Sequence, residues 1–110
     1  MSTLLKVDTA SFEAEVLQSS LPTLVDFYAP WCAPCRAMNP VLERLAARFA
    51  GQVKFVKLDE DQDPEIASRY AITKIPNFML FVGGEPVDSL VGYVGEEALA
   101  SRLTAHLGEA

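Results

Sequence analysis

The chain has 110 residues, the length of one ordinary domain, and we expect a single domain over residues 1–110. Hydrophobic residues make up 50% of the chain and charged residues 22%, a composition that excludes a disordered or collagen-like protein. Acidic residues outnumber basic residues by 15 to 9, and the net charge of −6 argues against nucleic acid or an anionic membrane surface as the main partner.

Strand and helix patterns alternate in the first half of the chain. Residues 4–7 are predicted as a short strand, and residues 11–19 as a helix with one apolar face. Residues 23–29 are apolar on both faces apart from Asp26, as in a central strand, and residues 35–49 carry the apolar spacing of a helix. This alternation predicts an α/β fold.

The second half continues the same alternation. Residues 53–59 predict a second central strand, and Asp63-Pro64 predicts the start of a short helix that ends near Tyr70. The elements predicted after it are a strand at 77–82, a glycine turn at 83–84, an antiparallel strand at 87–91 and a helix at 96–107. The resulting order, βαβαβαββα, predicts a mostly parallel sheet covered by helices.

The strongest chemical signal is the segment Trp31-Cys32-Ala33-Pro34-Cys35, between a predicted strand and a predicted helix. The i, i+3 spacing on a first helical turn puts both sulfurs on one side, close enough to bond. A disulfide that closes so small a loop adds little chain-entropy stability. The pair is therefore better suited to redox chemistry than to stapling the fold.

Two other interpretations of the cysteines compete with the redox interpretation. Half a zinc site would need two more Cys or His ligands, but the only histidine is His106, near the other end of the chain. An inert structural disulfide is the second alternative. A close Cys-x-x-Cys pair in βαβ surroundings favours a redox motif over both.

The acidity of the thiols predicts their roles. A free thiol is only a few per cent thiolate at neutral pH, and the open N-terminus of a helix would favour the anion at Cys32. A hydrogen bond donated by the Cys35 thiol would stabilise it further. Cys32 is then the attacking thiolate, and Cys35 the thiol that resolves the mixed disulfide.

Asp26 interrupts an apolar strand, where an unpaired charge is costly and burial raises the pKa of a carboxyl group. Such a group near Cys35 could accept the proton of that thiol, and Lys57, on an apolar strand face, is its natural partner. A structural ion pair with no catalytic part remains the alternative.

For Ile75-Pro76, the base rate of proline peptide bonds predicts the trans form.

Residues 25–35 resemble the active-site segment of the thioredoxin family. The resemblance covers essentially the whole chain without an internal insertion. Outside that segment it includes Pro40, Lys57, Asp61, Ile75, Pro76, Phe81, Gly84 and Gly92. It implies an α/β thioredoxin fold, with a central five-stranded mixed sheet flanked by four α-helices.

For the site, the resemblance implies that Cys32 is an exposed nucleophile and Cys35 a shielded resolving thiol. Asp26 and Lys57 would form a buried catalytic pair beneath them, and Pro76 would be cis and packed against the cysteines.

The resemblance also implies a substrate-binding surface around the cysteines, on which the backbone of Ile75 bonds an extended segment as an added strand. The expected contact residues are Trp31, Ala33, Pro34, Lys74, Ile75, Pro76, Gly92 and Tyr93. Ala33 and Lys74 stand where the family usually has glycine, and Tyr28 stands where tryptophan is common. We hypothesise that Lys74 adds positive potential near Cys32 and favours its thiolate.

The function that follows is thiol–disulfide oxidoreductase: an electron carrier that reduces protein disulfides and carries no cofactor. Electrons would come from a flavin- and NADPH-dependent thioredoxin reductase. A thioredoxin-fold binding or chaperone module, or a disulfide oxidase or isomerase, remains an alternative. The two cysteines favour the carrier because binding alone needs neither, and Pro34 favours a reductant because isomerases typically place histidine there.

We expect a monomer with no nucleic-acid or membrane partner, since no apolar run reaches the roughly 18 residues of a membrane span. The first residues show no basic segment followed by an apolar one, and Asp8, Glu13 and Glu15 argue against a mitochondrial transit peptide. These features predict a cytoplasmic location.

Overall fold

The computed structural model describes residues 4–107, so the first and last three residues of the predicted domain lie outside it. In this range the strands are β1 (Leu5–Val7), β2 (Thr23–Tyr28), β3 (Lys54–Asp59), β4 (Asn77–Val82) and β5 (Glu85–Val91). The helices are a five-residue π-helix (Glu13–Leu17), α1 (Ala33–Arg48), α2 (Pro64–Arg69) and α3 (Glu96–Leu107). The element order agrees with the predicted alternation of strands and helices.

The five strands form one mixed sheet in the order β1-β3-β2-β4-β5. β3 runs parallel to β1 and β2, whereas β4 runs antiparallel to both of its neighbours, β2 and β5. The expectation of a mostly parallel sheet was therefore wrong, and the mixed sheet implied by the resemblance is confirmed.

The lengths of the two central helices explain the change of strand direction. The 16 residues of α1 span about 24 Å, enough to return the chain along the whole sheet, so β3 starts beside the start of β2. The six residues of α2 span only about 9 Å, less than half the length of a six-residue strand. The chain therefore enters β4 at the edge where β2 and β3 end.

Each face of the sheet carries its own apolar core. On one face, α1 and α3 cover Leu24, Phe55, Phe78 and Leu80. On the other face, the π-helix and α2 cover residues that alternate with these along the strands. This second cluster includes Val25, Phe27, Val56, Leu58 and Phe81. The period-two alternation therefore assigns Asp26, two residues after Leu24, to the face that α1 covers.

Three predicted boundaries differ from the structure. α1 begins at Ala33 instead of residue 35, because Cys32 already serves as its N-cap. The helix predicted at 11–19 is shorter, because Ser11 is used in a turn: its backbone N–H donates to the Asp8 carboxylate. β5 includes Pro86, which the prediction left out of the strand. Proline is tolerated there because β5 is an edge strand with one side free of ladder bonds.

The turn between β4 and β5 supplies a matched pair of substitutions. Gly83 and Gly84 both have positive φ, of 60° and 83°, but a Cβ on Gly84 would lie 3.0 Å from the carbonyl oxygen of Leu17, whereas a Cβ on Gly83 would meet nothing within 4 Å. We expect Gly83→Ala to lower the free energy of unfolding by about 1–2 kcal/mol and Gly84→Ala by about 2–4 kcal/mol. Urea denaturation of both variants measures this, and equal losses would show that the close approach to Leu17 costs nothing.

Candidate active site

The two cysteines lie at the N-terminus of α1, immediately after the carboxyl end of β2. Cys32 has extended backbone geometry and caps the helix, and its Sγ accepts a hydrogen bond of 3.3 Å from the backbone N–H of Cys35. Cys32 and Cys35 are joined in a disulfide with a Cα–Cα distance of 5.2 Å. The predicted placement of both sulfurs on one side of a first helical turn is confirmed.

Cys32 is less accessible than the resemblance implied, whereas Cys35 is shielded, as the resemblance implied. Cys32 is 5% exposed and Cys35 2%, and both pack in a cluster with Ala29. Tyr28 and Ile75 pack against this cluster. The expectation of an exposed Cys32 was therefore wrong for this disulfide form, although Cys32 remains the more accessible of the two.

The loop before β4 closes over the disulfide. The Ile75–Pro76 peptide bond is cis, as the resemblance implied and contrary to the base-rate expectation. The carbonyl oxygen of Ile75 lies 4.0 Å from Cys32 Sγ. The backbone N–H of Gly92, just after β5, donates to the carbonyl oxygen of Pro76 at 2.8 Å. The Ile75–Pro76 segment therefore contacts both Cys32 and the residue that follows β5.

Exposed side chains lie next to these residues in the chain. Trp31, which precedes Cys32 in the chain, is 67% exposed, and Tyr93, which follows Gly92, is 62% exposed. Ala33, Pro34 and Lys74 are exposed as well, whereas Pro76 is buried and Ile75 and Gly92 are half-buried. The predicted contact residues thus lie in the segments of the cysteines, of Ile75–Pro76 and of Gly92, and most of them present accessible surface.

Asp61 belongs to this site, although its own segment of the sequence has the appearance of a solvated acidic loop. The indole N–H of Trp31 donates to the Asp61 carboxylate at 2.7 Å. That loop is itself ordered by Asp59, whose carboxylate accepts the backbone N–H of Asp61 at 2.9 Å. Asp61 therefore orients Trp31, a contact between residues 30 positions apart that no local pattern indicates.

Asp26 is a buried carboxyl group on the face of the sheet that α1 covers. It is 2% exposed, and burial raises its pKa to about 7, while the charge of Lys57 acts in the opposite direction. Its Oδ1 has no hydrogen-bond partner among the described residues. A pKa near neutrality is the range in which a carboxyl group is best suited to accept and return a proton at physiological pH.

Lys57 lies opposite Asp26 in the sheet, but the two do not form the direct buried pair that the sequence suggested. They are register partners on β2 and β3, yet their charged atoms are not within ion-pair distance. Instead, the Lys57 ammonium lies 4.6 Å from the centroid of the Tyr28 ring. The partnership in register is confirmed, and the direct ion pair is corrected to an interaction across a longer distance.

Within residues 4–107, no group of three or more Cys, His, Asp and Glu side chains is arranged to hold a metal ion. His106 instead contacts Asp88 at 3.1 Å, far along the chain from the cysteines. None of the helices in that range has both the length and the apolar character that a bilayer crossing requires.

Comparison with known proteins gives a consistent result. The family model described as Thioredoxin matches residues 3–105. Thioredoxin 1 of Synechococcus elongatus is 48% identical over 107 residues, which cover 97% of this chain and 100% of that protein. Thioredoxin of Synechocystis is 49% identical with the same coverage. A bifunctional thioredoxin reductase/thioredoxin of Mycobacterium leprae is 45% identical over 91% of this chain and 22% of its own length.

The buried carboxyl group makes the stability of the fold depend on pH. Between the ordinary pKa of 3.8 and the folded value of about 7, the unfolded chain loses the Asp26 proton while the folded protein keeps it, so stability falls as the pH rises. Asp26→Asn cannot ionise and escapes this loss. We expect the variant to gain up to about 4 kcal/mol over the unaltered protein at pH 8, and much less at pH 4.

Urea denaturation of the oxidised protein at both pH values measures this gain. A variant less stable than the unaltered protein at pH 8 would contradict the burial argument.

Proposed function

The chain belongs to the thioredoxin family and is a thiol–disulfide oxidoreductase; from this premise we propose that it reduces protein disulfides, with Cys32 as nucleophile and Cys35 as resolving thiol. The observation that carries this assignment of roles is the N-cap position of Cys32, whose sulfur accepts the Cys35 backbone N–H. Such an N–H and the helix dipole stabilise a thiolate by about 0.3–2 kcal/mol. Cys35, one turn inside the helix, lacks that position.

The proposed reaction is a pair of thiol–disulfide exchanges. The Cys32 thiolate attacks one sulfur of the substrate disulfide, a mixed disulfide forms, and the other substrate sulfur leaves as a thiolate that takes up a proton. Cys35 then loses its proton and attacks the Cys32 sulfur, which releases the second substrate thiolate. Two electrons have passed to the substrate, and the Cys32–Cys35 disulfide is the oxidised product.

Asp26 is the proposed acceptor of the Cys35 proton, and Lys57 is proposed to tune its charge. The support is the buried position of Asp26 on the face that α1 covers and its pKa of about 7. Asp26→Asn, which cannot accept a proton, is expected to slow the reduction of a protein disulfide by about tenfold or more, since general base catalysis contributes at least that much.

The proposed substrate surface is formed by the segments of the cysteines, of Ile75–Pro76 and of Gly92. An extended substrate segment would bond the backbone of Ile75, as an added strand, beside the cis Pro76. The residues proposed to contact it are the exposed Trp31, Ala33, Pro34, Lys74 and Tyr93, the buried Pro76 and the half-buried Gly92.

A flavin- and NADPH-dependent thioredoxin reductase is the proposed source of electrons, so that the protein itself carries no cofactor. The name of the Mycobacterium leprae relative joins both activities in one chain, which supports this pairing. We further propose a single domain over residues 1–110, a monomer with no nucleic-acid or membrane partner, and a cytoplasmic location, because a dithiol reductant needs a reducing compartment.

Substitution of each cysteine tests the assigned roles. Cys35→Ser leaves the Cys32 nucleophile but removes the resolving thiol, so we expect it to trap substrates as mixed disulfides that a reductant releases. Cys32→Ser is the matched control and is expected to trap nothing. Non-reducing electrophoresis of each variant, incubated with a disulfide-containing protein, measures the adducts.

The same experiment separates the proposed reductant from its alternatives. Absence of adducts with Cys35→Ser would count against the assigned roles. Partner binding that persists without both thiols would instead indicate a binding or chaperone module. Measurement of the equilibrium reduction potential against glutathione distinguishes a reductant from an oxidase or isomerase.

Lys74 is proposed to favour the Cys32 thiolate, because it directly precedes Ile75, whose carbonyl oxygen lies 4.0 Å from Cys32 Sγ. Removal of its charge in Lys74→Gly is therefore expected to raise the pKa of the Cys32 thiol and slow its alkylation at pH 7. Lys74→Arg, which keeps the charge, is the control. An unchanged alkylation rate in Lys74→Gly would end the hypothesis.

A further inference from the structure

Tyr28 lies in the chain between the buried carboxyl group of Asp26 and the two cysteines of the disulfide. It is two residues after Asp26 on β2, so both side chains are on the face of the sheet that α1 covers. Its ring also packs against the cluster that contains Cys32 and Cys35. Tyr28 therefore packs against the cluster that contains the redox pair and lies two residues along the strand from the proposed proton acceptor.

The Lys57 ammonium has three possible partners at this position and contacts only the ring. In the register of β2 and β3, Lys57 lies opposite Asp26, and Asp59, two residues further along β3, lies opposite Tyr28. Neither carboxylate is within ion-pair distance of the ammonium, which lies 4.6 Å from the centre of the Tyr28 ring. This distance is within the roughly 6 Å of a cation–π interaction.

The two carboxylates near the Lys57 ammonium differ in their hydrogen bonds. Asp59 already accepts the backbone N–H groups of Asp61 and Gln62, which satisfies its Oδ1. Asp26, in contrast, has a buried Oδ1 with no described hydrogen-bond partner. A lysine ammonium on its flexible side chain would gain the most interaction energy by binding the Asp26 carboxylate. The Tyr28 ring is the group that holds the ammonium away from that carboxylate.

We propose that Tyr28 is a positioning residue for the redox reaction: its ring holds the Lys57 ammonium beyond ion-pair distance of Asp26, which keeps the carboxyl group able to exchange a proton with Cys35. A direct ion pair would keep Asp26 ionised and make it a poor proton acceptor. The inference rests on the proposed role of Asp26.

The surroundings of Asp26 leave Lys57 as the charge that Tyr28 can control. From β4, the residue in register with Asp26 is Phe78, which is apolar. The buried residues of α1 are Cys35, the proposed proton donor, and otherwise apolar side chains such as Met38. From α3, the packed side chains are apolar, such as Leu99. From β3, the charged residues are Asp59, whose Oδ1 accepts two backbone N–H groups, and Lys57, whose effect is to lower the pKa of Asp26 against the effect of burial.

The test is an NMR titration of the Asp26 carboxyl carbon in the oxidised full-length protein. Tyr28→Leu removes the ring face, and Tyr28→Phe keeps it without the hydroxyl group. We expect Tyr28→Leu to let Lys57 approach Asp26 and reduce the proton affinity of the carboxylate about tenfold or more, and Tyr28→Phe to leave it unchanged. In a Lys57→Met background, Tyr28→Leu is expected to have no such effect.

Three results would overturn the proposal. The first is an unchanged Asp26 titration in Tyr28→Leu. The second is a change that persists in the Lys57→Met background, because it would then come from hydration of the cavity and not from the ammonium. The third is a rise of more than tenfold in the proton affinity of Asp26 in Lys57→Met with the Tyr28 ring intact. Lys57 would then already interact strongly with the Asp26 carboxylate in the unaltered protein.

The titration needs no turnover, so its outcome is independent of the trapping experiment. A positive titration with no trapped substrate would leave the placement of Lys57 intact and refute the redox roles. The reverse result would leave those roles intact and refute the part assigned to Tyr28.

Discussion

The hydrogen bond from the Cys35 backbone N–H to the Cys32 sulfur ties the chemistry of this protein to its fold. It exists because a helix leaves its first N–H groups without partners, and Cys32 occupies the capping position where a side chain can accept one. The same groups stabilise negative charge, which supports the proposed role of Cys32 as the attacking thiolate. Structure and reactivity therefore depend on the same backbone donors.

The rest of the site depends on where α2 ends. Because α2 is too short to cross the sheet, β4 starts at the edge where β2 and β3 end. Pro76 is consequently placed over the helix N-terminus, and the return of β5 brings Gly92 back to the carbonyl of Pro76. A longer helix would have placed the start of β4 at the opposite edge, and Cys32 would have lost the backbone that closes over it.

The parts of the site that were predictable from the sequence are the local ones. The spacing of Cys32 and Cys35 defines a helical turn, and Asp26 stands out in an apolar strand. The contacts of Asp61 with Trp31 and of Lys57 with Tyr28 join residues about thirty positions apart. They depend on strand register and loop order, which no local spacing encodes. The order and direction of the strands were likewise not predictable from the sequence pattern. Hydrophobic alternation shows that a segment is a strand but not in which direction it runs.

Asp26 and Cys32 place opposite demands on one small region. The thiolate of Cys32 is favoured by positive potential, whereas the proposed role of Asp26 requires a carboxyl group that can hold a proton near neutral pH. A lysine placed directly between them would serve the first demand and defeat the second.

In the structure, different groups act on the Cys32 sulfur and on the Asp26 carboxyl group. The N-terminus of α1 faces the sulfur with uncharged donors, and the Lys57 ammonium rests on an aromatic face beside the carboxyl group. The buried charge then costs about 4 kcal/mol above neutral pH, a large share of the 5–15 kcal/mol typical of a folded domain. Above neutral pH, Asp26 therefore lowers the stability of the fold, which supports its proposed role in the reaction over a purely structural role.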